Sequence, residues 1–207
     1  MGVRSRVLVM VAAVVVVAGA AGAAVWHRST GVYRLARSGD PQRRRVAAET
    51  LAARSGPRAD AALARLADDA DLAVASAALR SLGRRDGEAA RTCLRQCAAA
   101  HRSMPLRCVA LGQLGRDPQT RTSRLVEATR SGPPGLRSAG AYALGWRNQP
   151  VAVAALLDAL DDPDMGVRIH AAESLMRLAG GRIEFSPNAP LLKRQQQLRK
   201  LREGLLP

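Results

Sequence analysis

Apolar positions along the chain recur at the period of a helical hairpin. Leu51, Leu82, Leu114, Leu144 and Leu175 are separated by 31, 32, 30 and 31 residues. Four residues before each leucine stands a small residue: Ala47, Ala78, Ala110, Gly140 and Ala171. Eight before it stand Arg43, Val74, Leu106, Leu136 and Val167, all but the first apolar. Positions 0, −4 and −8 share one face of a helix. Each copy therefore predicts an amphipathic helix whose apolar stripe is shallow in the middle, where another helix can approach closely. Eleven before the leucine stand Asp40, Asp71, Ser103, Pro133 and Asp164, and Asp164 is suited to cap its helix. Gly56, Gly87 and Gly180, or Pro118 and Pro150, end these helices.

Between the copies lie further helical patterns at 61–67, 88–99, 118–129 and 151–160, so each unit reads as two antiparallel helices. No such hairpin buries its own apolar face, and five of them stacked share a continuous core. Arg43 at an apolar position marks the first unit as a terminal one facing solvent. The clearest copy reads Asp-Pro-Asp-x-x-Val-Arg-x-x-Ala-Ala-x-x-Leu at 162–175, with looser versions at 69–82, 103–114 and 133–144. This pattern resembles HEAT-like repeats, of the short type named after the phycobilisome lyases, over roughly residues 30–180. The resemblance implies an all-α fold, a right-handed α-α superhelix of about five hairpins whose second helices line the concave side. It also implies a ladder of Asp and Arg between neighbouring units. Arg44, Arg107, Arg137 and Arg168, seven before the leucine, are then structural rather than ligand-binding. The expected domains are 1–28, a membrane anchor; 29–182, the solenoid; and 183–207, a linker and a basic capping helix.

The anchor rests on Val7 to Val25, nineteen uncharged residues of Val, Ala, Leu, Met and Gly behind Arg4 and Arg6. That length spans a bilayer core as a helix. Ala18-Gly19-Ala20 and Ala21-Gly22-Ala23 also fit a cleavage rule, but the unbroken run favours an uncleaved signal-anchor. Arg28, Arg34 and Arg37 balance the leading arginines, so the flanking charges leave sidedness open. The expected location is a single-pass membrane protein with its domain outside the cytoplasm.

Composition supports helices: Ala, Leu and Arg dominate beyond the first quarter, and the aromatic residues number five. A formal charge of +15 raises nucleic acid or an acidic membrane as partners. The charge is uneven, neutral over 55–86 and negative over 148–180, so no continuous basic stripe is established.

Two rows of residues, two before and two after each leucine, turn away from the buried stripe together. They read Glu49, Arg80, Gly112, Tyr142, Glu173 and Ala53, Arg84, Arg116, Trp146, Arg177. Arginine around a Tyr and Trp pair is the composition of protein-binding hot spots. Arg80, Arg84, Arg116, Tyr142, Trp146 and Arg177 are thus the candidate partner-binding residues; the competing reading is a solvated face with one aromatic cap.

Chemistry finds less support. Cys93, Cys97 and Cys108 fall in the third hairpin and read as buried thiols; outside the cytoplasm, a bridge from one of the first two to Cys108, leaving an odd thiol, is the open alternative. With His101 they make a Cys₃His set whose four-residue steps climb too far along a helix for one tetrahedral zinc. His170 is placed one turn before Glu173, facing out, and the chain lacks the adjacent His-Glu pairs with which HEAT-like deoxyhypusine hydroxylases hold iron. No catalytic constellation, cofactor or metal is expected. At the C-terminus, Leu191, Leu192, Leu198 and Leu201 alternate with Lys193, Arg194, Arg199, Lys200 and Arg202. They form a basic amphipathic helix that caps the solenoid or, alternatively, rests on a membrane surface. The function expected is a membrane-tethered scaffold or adaptor that binds a protein through its concave face. A nucleic-acid-binding HEAT-like protein is the alternative, and a bilin-lyase-like enzyme stands third.

Overall fold

The computed structural model describes residues 31–205. The apolar run Val7 to Val25 lies outside them; among the described residues no helix is long and apolar enough to cross a membrane. After α1, seen over 31–35, come α2 (Pro41–Leu51), α3 (Pro57–Ala67), α4 (Leu72–Leu82), α5 (Glu88–Ala100) and α6 (Met104–Leu114). The chain continues through α7 (Thr122–Arg130), α8 (Pro134–Leu144), α9 (Pro150–Ala159), α10 (Met165–Ala179) and α11 (Leu191–Leu205). The described residues contain no strand.

Helices α3–α4, α5–α6, α7–α8 and α9–α10 pack as hairpins, and α2, α4, α6, α8 and α10 stack side by side as an inner row. This is an all-helical solenoid. The repeated leucines end α2, α4, α6 and α8, Leu175 lies one turn before the end of α10, and all five are at most 5% exposed. Burying each contributes roughly 1.5–3 kcal/mol. The small residues at −4 do what their size suggests: a Cβ on Gly140 would stand 2.9 Å from the backbone of Ala128 and Thr129 in α7. Arg43 is exposed, as its terminal position requires.

The N-caps form where the Asp residues stand. Asp40 accepts from the Gln42 N–H, Asp71 from those of Ala73 and Val74, and Asp164 from that of Val167. Ser103 and Pro133 make no side-chain cap. The ladder between units uses a different acid from the capping one. Arg44 grips Asp69 with two hydrogen bonds of 2.7 and 2.9 Å, and Arg137 grips Asp162 with two of 2.8 Å. Both acids stand thirteen before the leucine of the next unit. Each also accepts the backbone N–H of its capping Asp, at 2.9 Å for Asp71 and 2.8 Å for Asp164. The division follows from geometry, because a cap must turn towards its own helix N-terminus and only the acid before it faces the preceding unit.

The ladder is interrupted in the middle. Arg107 has Ser131 where an acid would stand, and its Nε donates to the Ala98 carbonyl at 3.1 Å. Arg168, at the end of the row, donates to the Pro187 carbonyl of the linker at 2.8 Å. On the other side of the row Arg85 reaches the carbonyls of Leu51 and Arg54, and Arg147 those of Leu114 and Asp117. Each of these arginines, three after its leucine, donates to carbonyls at and just past the C-terminus of the inner helix before it.

First helices touch along the outer row, α3 with α5 and α7 with α9, but α5 and α7 stand apart. The apolar core divides there, one cluster running from Val32 to Leu114 and the other from Leu111 to Leu198. Beyond α10, α11 packs against α9, burying Leu198 and pairing Arg202 with Asp158 at 3.0 Å.

Candidate functional site

A groove of about 330 Å³ crosses the inner row from Arg80 on α4 over α6 and α8 to His170 on α10. The stacking that aligns these helices sets residues two before successive leucines beside one another. Gly112 leaves room for the Tyr142 ring, which would lie 3.3 Å from a Cβ added there. Tyr142 and Trp146, one turn apart on α8, meet edge to face at 6.3 Å and 76°.

The arginines close around Trp146 from both neighbouring units. Arg116, just after α6, places its guanidinium 4.4 Å from the indole ring, and Arg177 of α10 stands 4.6 Å from it and 5.3 Å from the Tyr142 ring. Contacts of this kind are worth about 0.5–1 kcal/mol each at an exposed site. They also hold the forks still. A guanidinium stacked by its face keeps its N–H edge for carboxylate or carbonyl oxygen. Trp146 remains 40% exposed. Close approach of the next unit helps: a Cβ on Gly145 would stand 2.5 Å from Ser174 Oγ, and Ser174 donates to the Ala141 carbonyl at 2.9 Å.

Of the six residues picked out by the repeat, Arg116, Tyr142, Trp146 and Arg177 form one cluster. Arg80 lines the groove beyond Tyr142. Arg84 is exposed and, like Arg80, makes no side-chain hydrogen bond or ion pair among the described residues. The same two rows carry Glu49 and Glu173, both exposed.

His170 does not simply face out. It is half-buried in the groove, with Nδ1 2.7 Å from Ser138 Oγ and 3.0 Å from the Gly166 carbonyl, and its ring meets Tyr142 edge-on at 6.2 Å. Residues five and six before the leucine, Val109, Cys108, Ala139 and Ser138, line the groove with it. The signal was the spacing, since these positions lie beside position −2 on the same helix flank.

The cysteines separate. Cys97 is buried between α5 and α6, its thiol 3.7 Å from the Leu106 carbonyl, whereas Cys108 faces the groove. All three thiols are free. Burial raises all three above the ordinary thiol value, Cys97 to about 11. His101 turns Nε2 towards Asp68 at 3.4 Å and accepts the Ser103 N–H on Nδ1. Among the described residues no three His, Cys, Asp or Glu side chains converge as a metal set.

Comparison with known proteins fits this architecture. A HEAT-repeat family model matches residues 32–115, 95–176 and 122–194. No curated protein matches the sequence. Among solved structures, human deoxyhypusine hydroxylase in complex with glycerol is similar at 18% identity and a TM-score of 0.43, over 73% of this chain and 75% of that one. An engineered protein is similar at 20% identity and a TM-score of 0.44, over 84% and 90%. A computationally designed armadillo repeat protein for modular peptide recognition follows at 15% identity and 0.42, over 82% and 86%. With overlapping matches that together run from residue 32 to 194, the chain belongs to the HEAT-repeat family.

Proposed function

We propose that this protein is a membrane-tethered scaffold that holds a polypeptide partner against the inner row of helices and acts by binding rather than by catalysis. The observation that carries the reading is the Trp146 cluster, in which arginines from the units before and after present their donor edges around a part-exposed indole. Preorganised arginine and aromatic groups at the centre of a concave helical row suit an extended segment that supplies carbonyls and carboxylates. The tether rests on Val7 to Val25 as a signal-anchor, with the domain outside the cytoplasm, and the repeats are of the phycobilisome-lyase type without that type's enzymatic role.

The test places a photo-crosslinking amino acid at Arg84 or, as a control on the outer row, at Gln96 in the full chain within its native membrane. Position 84 is expected to capture a discrete partner that position 96 does not. Arg116→Ala with Trp146→Ala is expected to lower that capture at least roughly tenfold, since hot-spot truncations cost about 2 kcal/mol or more. Undiminished capture by the double variant refutes the assigned surface. A reporter fused after residue 180 tests the sidedness, and cytoplasmic activity of that reporter overturns it.

A further inference from the structure

A second concavity lies on the outer side, in the gap that opens between α5 and α7. It encloses about 770 Å³, within the usual range of small-molecule sites. Its floor is hydrocarbon: Leu111 and Leu125 are buried, Leu136 is half-buried, and Ala98 and Ala128 line the walls. Charge around it is one-sided, with Arg95, Arg107, Arg121 and Arg124 against Glu127. Arg95 is paired with Glu88, and Arg107 uses Nε on the Ala98 carbonyl. Arg121 and Arg124 are both exposed at the lip and make no side-chain hydrogen bond or ion pair among the described residues.

The cleft exists because three regularities of the repeat fail at one place. The acid that would receive Arg107 is replaced by Ser131, α7 has nine residues against thirteen in α5, and the two helices do not close over the core. An extended peptide laid on this floor would bury amide groups against carbon, at a cost of roughly 1–3 kcal/mol for each one left unpaired. A hydrocarbon chain has no such groups, and an anionic head meets the arginines at the lip.

We infer that this cleft is a binding site for a single-chain anionic amphiphile, with its tail over Leu111, Leu125 and Leu136 and its carboxylate or phosphate head at Arg121 and Arg124. The site is separate from the Trp146 surface, and Trp146→Ala leaves it intact. The head chemistry is shared by fatty carboxylates and single-chain phospholipids.

The test uses purified full chain in a nonionic detergent and three photoreactive probes with the same sixteen-carbon diazirine tail. One carries a carboxylate, one a phosphate and one a neutral alcohol. Labelled peptides are mapped by mass spectrometry. The expected result is labelling of α6 and α7 by the carboxylate, the phosphate or both, which names the source, with the alcohol weaker. Arg121→Glu with Arg124→Glu is expected to reduce it at least roughly tenfold, since charge-assisted hydrogen bonds are worth about 1.5–3 kcal/mol. Ala128→Trp, which fills the cleft, is expected to abolish it; the surface double variant keeps the test valid if the filled variant misfolds. Equal labelling by the alcohol, labelling unmoved by the charge reversal, labelling confined to residues 7–25, or displacement only by an acidic peptide overturns the inference.

Discussion

Gly115→Ala isolates the close approach of neighbouring inner helices. Gly115 follows Leu114 at the end of α6 in the ordinary right-handed region, at φ −58°, so an alanine there meets no backbone strain. Its Cβ would stand 2.5 Å from the carbonyl oxygen of Ala143 and 2.6 Å from its Cα. Both atoms belong to the backbone of α8, and neither moves without the helix. Relief requires α6 and α8 to separate, and overpacking of this kind costs about 1–3 kcal/mol. The higher helix propensity of alanine offsets at most about 1 kcal/mol. Gly204→Ala is the control. Gly204 lies within α11, and a Cβ there would meet nothing within 4 Å. Only the helix propensity of alanine then acts, and it favours the variant. Thermal unfolding of the full chain in mild detergent, followed by circular dichroism, is expected to show Gly115→Ala lower by roughly 4–8 °C for a loss of about 2 kcal/mol. Gly204→Ala is expected to melt no lower than the wild type. Equal melting temperatures for the two variants, or a Gly115→Ala variant as stable as the wild type, would refute the close-approach reasoning.

Acid dependence follows from the ladder. The Asp69 carboxyl is held below the ordinary carboxylate value by the Arg44 hydrogen bonds. Burial pushes Asp162 up, but the Arg137 hydrogen bonds and the Asp164 N–H outweigh it and the net shift is downward. A lowered folded-state value means stability that is present above the unfolded value, about pH 4, and is lost as pH falls through the folded value. Asp162→Asn is therefore expected to flatten the loss of stability below about pH 4, measured by urea unfolding at pH 2.5–5; an unchanged profile refutes the pairing. Asp71→Ala removes the cap of α4 and is expected to cost about 1 kcal/mol, read as a lower urea midpoint beside the exposed control Glu49→Ala. Cys97, buried and raised to about 11, is expected to be alkylated by iodoacetamide at pH 7.5 far more slowly than in urea; mass mapping that finds it among the fast thiols contradicts its placement.

What the sequence by itself determined was periodic. The spacing of Leu51, Leu82, Leu114, Leu144 and Leu175, with small residues at −4 and Asp at −11, sufficed for helices, caps and stacked hairpins, because these depend on contacts within a turn or two of one helix. The same periodicity placed Tyr142, Trp146, Arg116 and Arg177 on one face. Only the tertiary structure decided what crosses between units. That Arg44 and Arg137 reach the acid thirteen before the next leucine, not the one at eleven, depends on how neighbouring turns lie against each other. Arg85 and Arg147 clasping carbonyls more than thirty residues away leave no short-range signature. His170 turned out to be held by Ser138 across two helices, although its own helix alone placed it outside. Nor does periodicity forecast the gap between α5 and α7, which appears where several small departures from the repeat coincide. A repeating pattern specifies each helix face, whereas the side chains that bridge faces, and the spaces left between them, are set by the distance and rotation from one unit to the next.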